Sequence, residues 1–177
     1  MKGTVLLYGL IAGFVVAAML IITTTMCYHS ENFQSSMALG FGTMIVAFST
    51  ITFAVINIRD RHNYGAITFG SAFAVGFYIS LIASTIYVLV WLIDYYVFIP
   101  DFMDKYTAHV LKEVKMDGGT PQEMSSKIEE MNSYKELYKN PLYVVLLTYM
   151  EILPIGLAMS LLNALIFKRK VKRERFN

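Results

Sequence analysis

The sequence has a single cysteine, Cys27, among 177 residues. No internal disulfide is therefore available, which excludes a disulfide-stapled secreted scaffold. Charge is also scarce. Asp, Glu, Lys and Arg make up 16% of the chain, against about 25% in a soluble domain. Residues 3–28, 32–58 and 63–93 contain none of the four, and residues 140–167 contain only Glu151. A soluble globular enzyme and a disordered chain are both excluded by that distribution. Chemical motifs are missing as well: there is no phosphate-cradling glycine loop, nucleophile-elbow serine or zincin helix. Cys27, His29, Glu31 and His109 do not have the spacing of a zinc site. These absences predict no enzyme activity, no cofactor and no nucleic-acid partner.

What is present is apolar length. Hydrophobic residues make up 56% of the chain, and each charge-poor stretch exceeds the roughly 20 residues that cross a bilayer core. The reading is an all-α polytopic membrane protein with four transmembrane helices. The spans are expected over residues 4–26, 37–58, 67–98 and 141–167, with the lipid bilayer as the first partner. The first span is expected to be retained. Its apolar run from Val5 to Ile22 is longer than the ~7–15-residue core of a secretory signal. The exit Thr23-Thr24-Thr25-Met26-Cys27 offers no small-x-small cleavage site.

Lysine and arginine set the orientation. Lys2, Arg59, Arg61, Lys168, Arg169, Lys170, Lys172, Arg173 and Arg175 fall on one side. The six lysines of residues 101–140 fall on the other, diluted by eight acidic residues. Both termini are thus expected in the cytoplasm and residues 101–140 outside. Trp91, Tyr95, Tyr96 and Tyr143 would then mark the outer interface. The outer segment reads as a helical hairpin. Phe102, Tyr106, Val110 and Val114 form one helical stripe, Asp117-Gly118-Gly119 breaks it, and Thr120-Pro121-Gln122-Glu123 is a capping box. Residues 168–177 form a basic tail.

Small residues recur at helical spacing in every span: Gly9, Gly13 and Ala17; Gly40, Ala47 and Ala54; Ala72, Gly76, Ser80 and Ser84; Gly156, Ser160 and Ala164. In lipid, helices associate through close backbone approach, and such rails permit it. Four rails predict a compact bundle within one chain. The alternative is that one rail serves a homo-oligomer or another membrane protein.

Several stretches resemble a known family. They are Tyr8-Gly9-Leu10-Ile11-Ala12-Gly13, the run from Arg59-Asp60-Arg61 through Gly76, Pro100-Asp101-Phe102-Met103-Asp104-Lys105-Tyr106, Asn140-Pro141-Leu142 and Glu151-Ile152-Leu153-Pro154-Ile155-Gly156-Leu157. Together they resemble domain-of-unknown-function family 4199, small bacterial four-span membrane proteins. The resemblance covers almost the whole chain in the same order. It implies a four-helix fold in the inner membrane and supplies no activity, substrate or cofactor.

Glu151 is the first candidate for function. It lies ten residues into the last span, about 15 Å from its start. Charged groups at that depth are rare and usually face a bundle interior. No Lys or Arg lies within a span to pair with it, so it is expected neutral or bonded to hydroxyl groups. It reads as a proton or cation site or as a packing hydrogen bond. Pro154, three residues on, cannot donate to the Met150 carbonyl and predicts a kink there. Asp94, near the outer end, is the other intramembrane carboxylate. Arg59, Asp60 and Arg61 read as a charged interfacial loop with a local ion pair. Lys168, Arg169, Lys170, Lys172, Arg173 and Arg175 suit anionic lipid. The function expected is a non-enzymatic structural or partner-binding bundle, with a proton- or cation-linked transporter or channel subunit as the alternative.

Overall fold

The computed structural model describes residues 2–30 and 34–169. They form seven α-helices: α1 (Lys2–Ser30), α2 (Gln34–Phe48), α3 (Thr50–His62), α4 (Phe69–Ile93), α5 (Phe102–Met116), α6 (Pro121–Tyr138) and α7 (Pro141–Phe167). Four segments are long and apolar enough to cross a membrane: Lys2–Tyr28, Ala38–His62, Phe69–Phe98 and Pro141–Phe167. The 27 residues of α7 reach about 40 Å, beyond the ~30 Å of a hydrocarbon core.

The faces of these helices are sorted for lipid. On α7 the buried residues include Thr148, Gly156, Ser160 and Asn163, while Leu142, Met150, Leu162 and Ile166 are more than half exposed. Leu7, Phe14, Val46 and Phe53 are likewise exposed. Small and polar side chains share the interior with Phe48, Ile51, Ile58, Ile79 and Ile152, while many large apolar side chains face outward, which suits a solvent as apolar as the helix surface.

α4 is the central helix. It runs antiparallel to α7, because Gly76 meets Ser160 and Gly156 meets Ser80. A Cβ on Gly76 would lie 2.6 Å from Ser160 Oγ and 2.9 Å from its Cα, and one on Gly156 would lie 2.6 Å from Ser80 Oγ and Cβ. Only glycine permits this approach. The Ser80 and Ser160 hydroxyls sit 3.3 Å apart, each also donating to its own helix, at Gly76 O and Gly156 O. On the other flank α4 runs parallel to α1, with Gly9 against Ile82 and Gly13 against Ile86. Gly40 departs from this pattern. Nothing lies within 4 Å of where its Cβ would be, although Ala47 and Ala54 on the same rail are buried.

The second span is two helices rather than one. Ser49 Oγ donates to Val46 O at 2.6 Å and Thr50 Oγ1 to Ala47 O at 2.7 Å. Such back-bonding to the preceding turn bends helices, and Ser49, with φ −61° and ψ −21°, separates α2 from α3. α1 continues through Cys27, which is therefore a buried thiol within a helix. α4 passes into a π-helical turn, Asp94–Phe98, closed by Ile99 N donating to Asp94 O at 2.9 Å.

Beyond that turn α5 and α6 form a hairpin. The Thr120 capping box is complete: Glu123 N donates to Thr120 Oγ1 and Thr120 N donates to Glu123 Oε2. Lys135 of α6 pairs with Asp104 of α5 at 2.7 Å. The hairpin core is thin, since Met131 is the one buried residue of α6 and Ile128 stays exposed.

The α4–α7 contact generates a stability prediction. Gly76→Ala should destabilise by about 1–3 kcal/mol through overpacking, read as thermal unfolding in detergent. Gly42→Ala, where nothing lies within 4 Å, should be near neutral. Equal behaviour of the two variants would contradict the close approach.

Candidate functional site

The antiparallel register of α4 and α7 decides what Glu151 faces. One turn beyond the glycine–serine contact, Thr85 Oγ1 and Tyr149 Oη lie 2.8 Å apart. Further along, Tyr87 Oη donates to Glu151 Oε1 at 3.4 Å. Tyr87 is buried, whereas Glu151 is exposed. The carboxylate borders a cavity of about 620 Å³ that runs from the helix ends to the hairpin.

Four helices give this cavity aromatic walls: Phe41 from α2, Tyr87 and Trp91 from α4, Phe102 and Tyr106 from α5, Tyr134 and Tyr138 from α6. Trp91 meets Phe102 edge-on at 5.3 Å, and Phe102 stacks on Tyr106 at 6.1 Å. The hairpin side carries Glu113, Lys127 and Glu130, with Lys127 Nζ 2.7 Å from Glu130 Oε2. Burial, followed by the negative charge of Glu151, pushes the Tyr138 phenol up to about 12. It is a neutral hydroxyl at ordinary pH. Among the described residues no three of His, Cys, Asp and Glu are grouped as metal ligands.

The other sequence-singled residues lie elsewhere. Asp94 accepts a hydrogen bond from Thr24 Oγ1 at 2.8 Å and lines a separate, mostly apolar cavity of about 500 Å³ with Ile21, Tyr28, Ile93 and Phe98. Pro154 is exposed, as is Met150 one turn earlier, and α7 remains helical through it. Neither Asp94 nor Pro154 lines the Glu151 cavity.

Arg59, Asp60 and Arg61 belong to the last turn of α3 and not to a loop. Cations are favoured there by the helix dipole, and the chain turns afterwards, at Tyr64 and Gly65, both with left-handed φ (51° and 79°). Arg59 and Asp60 form an ion pair at 2.6 Å, and the Arg59 guanidinium lies 6.0 Å from the Phe167 ring centre. Ile67 and Arg169 exchange two backbone hydrogen bonds, at 3.0 and 2.9 Å. They tie the α3–α4 turn to the end of α7, at the end of the molecule opposite the hairpin. Lys168 is also described, while Glu31, Lys170, Lys172, Arg173 and Arg175 lie outside the described residues. Trp91 and Tyr95 are buried beneath the hairpin and do not form an outer ring, although Tyr96 and Tyr143 are exposed.

Sequence reasoning passed over Tyr87 and Tyr28. A signal existed for Tyr87, which continues the buried stripe of Gly76, Ser80 and Ser84 along α4. Tyr28 Oη donates to Asp101 Oδ1 at 2.7 Å, and Lys105 Nζ sits 3.3 Å from the Tyr28 ring centre. These contacts fasten the base of the hairpin to α1.

The family described as Protein of unknown function (DUF4199) matches residues 7–169, and the chain belongs to it. No curated protein and no solved structure matches. Membership together with four apolar helices of spanning length fits an integral membrane protein.

The Tyr28 contact generates a pH prediction. Its hydroxyl, with Lys105, holds the Asp101 carboxyl below the usual range. A depressed carboxylate contributes stability above its unfolded value of about 3.9, which is lost as pH falls through the folded value. Hydrogen-exchange protection of the first turn of α5 should therefore hold from neutral pH to about pH 5 and fall below about pH 4. Tyr28→Phe should lower protection near neutrality and flatten this profile. An unchanged profile in Tyr28→Phe would contradict the tie.

Proposed function

Starting from that family membership, we propose that the chain is a non-enzymatic four-helix bundle of a bacterial inner membrane. Both termini face the cytoplasm, the α5–α6 hairpin caps the outer side, and Glu151 serves as a proton- or cation-binding site reached from beneath that cap. The observation that carries the reading is the cavity. A carboxylate held only for packing would be enclosed, whereas Glu151 borders an open volume of about 620 Å³. Intramembrane carboxylates that face cavities mark ion and proton paths.

The orientation is supported by Arg59, Arg61, Lys168 and Arg169 at one end and the acid-diluted hairpin at the other. Lys168 and Arg169 begin the basic run, which suits anionic headgroups at about 1 kcal/mol per cation. The titratable groups around the cavity are Tyr87, Tyr106, Tyr134, Tyr138, Glu113, Lys127 and Glu130. Tyr87 is the one hydrogen-bonded to Glu151. That bond across α4 and α7 favours a second reading, in which Glu151 fastens the two helices and binds nothing.

The two readings part at Glu151→Gln, which keeps size and hydrogen bonding but removes titration. Thermal stability from pH 5 to 8 and proton flux in proteoliposomes should be measured for wild type, Glu151→Gln and Glu151→Leu. The cation-site reading expects Glu151→Gln to fold and to lose a proton flux that wild type shows. Wild type and Glu151→Gln alike in both assays, with Glu151→Leu losing about 1–2 kcal/mol of stability, would establish the fastening role instead.

A further inference from the structure

The cavity holds more than a proton or a bare metal ion needs. Its volume of about 620 Å³ falls within the roughly 300–1,000 Å³ of small-molecule sites. Its walls include Tyr87, Trp91, Phe102, Tyr106, Tyr134 and Tyr138, and its one carboxylate from a spanning segment is Glu151. At the hairpin end stand two carboxylates and one ammonium: Lys127 Nζ pairs with Glu130, and Glu113 Oε1 lies 3.3 Å from His109 Nε2. The threonine hydroxyls offer little competing recognition: Thr23 donates to a carbonyl of its own helix, and the single proton of Thr24 goes either to Leu20 O or to Asp94 Oδ2.

Resting on the cation-site reading above, we infer that this cavity binds a monovalent organic cation with a flat or branched apolar body, its charge directed to Glu151. An anion would meet Glu151, Glu113 and Glu130 against the single ammonium of Lys127. A neutral apolar molecule would strip water from Glu151 with no compensation. A cation with an apolar body satisfies both features, since aromatic rings attract cations by their negative faces. The hydroxyl of Tyr87, 3.4 Å from the carboxylate, leaves the carboxylate's remaining acceptor capacity to the ligand.

Trp91 is the only tryptophan in the sequence and it lines the cavity, so its fluorescence reports occupancy. The full chain in nanodiscs is titrated with tetraphenylphosphonium and, in parallel, with tetraphenylborate, which has the same shape and the opposite charge. The expected result is saturable quenching by tetraphenylphosphonium and none by tetraphenylborate. The apparent Kd should be raised at least about tenfold in Glu151→Gln. Tyr106→Leu, on the hairpin and away from the glycine–serine contact of α4 and α7, should weaken binding severalfold and keeps the inference testable if Glu151→Gln fails to fold. Equal quenching by the two ions, or wild-type affinity in both variants, would overturn it. A proton flux that depends on Glu151 without tetraphenylphosphonium binding would overturn it too, and would leave the cation-site reading standing. Charge-selective binding without proton flux would support it and remove proton coupling.

Discussion

The close approach of α4 and α7 governs the rest of this molecule. Gly76 and Gly156 each receive a serine of the opposite helix, Ser160 and Ser80, at distances that admit no Cβ. In a bilayer, exclusion of apolar surface from water does not drive helices together, so van der Waals contact at short range and a few hydrogen bonds must do it. Two glycines one turn out of step on antiparallel helices supply the first, and the Thr85–Tyr149 and Tyr87–Glu151 pairs supply the second. Helices advance about 1.5 Å per residue, so this contact sets the register along their whole length. It places Thr85 beside Tyr149 and Tyr87 beside Glu151 toward one end. Toward the other it brings Phe167 to Arg59 and Arg169 to Ile67.

The cavity is what this tight contact leaves unfilled. α6 lays only Met131 fully against the protein, so the hairpin does not plug the space beneath it. It is held by polar ties at its margins: Tyr28 to Asp101, Lys135 to Asp104, and Tyr96 Oη to the Tyr138 carbonyl. A thin cover fixed at its edges leaves room at its centre. A carboxyl within a spanning helix costs several kcal/mol unless water or partners reach it. The open cavity and the Tyr87 hydroxyl are what the protein provides there.

The spans were legible because an uncharged apolar run longer than a bilayer core is rare outside membranes. Three of the small-residue rails were legible as contact faces for the same reason that they work, namely that glycine and serine at four-residue spacing face one way. Gly40 shows the limit of that logic, since spacing says which face a residue shares but not what stands opposite. Ser49 and Thr50 broke the second span through bonds to their own helix, a choice that sequence leaves open because a hydroxyl can equally bond a neighbouring helix. Arg59 to Arg61 read as a loop because charge is scarce in spans, yet at a helix end the dipole welcomes them. At the site, Glu151 stood out from sequence. The tyrosines around it did not, because Tyr87, Tyr106 and Tyr138 meet it only through the register of α4 and the fold-back of the hairpin, contacts between residues far apart in the chain.

The central claim is that register, and a disulfide scan tests it most directly. On a Cys27→Ser background, the Ser80→Cys and Ser160→Cys pair should crosslink within one chain under mild oxidation, since the hydroxyls are 3.3 Å apart. Ser84→Cys with Ser160→Cys, one turn or about 6 Å away, should crosslink far less. Preferential crosslinking of the second pair, or dimers formed through position 80 or 160, would contradict the account, because either would move Tyr87 and the cavity away from Glu151.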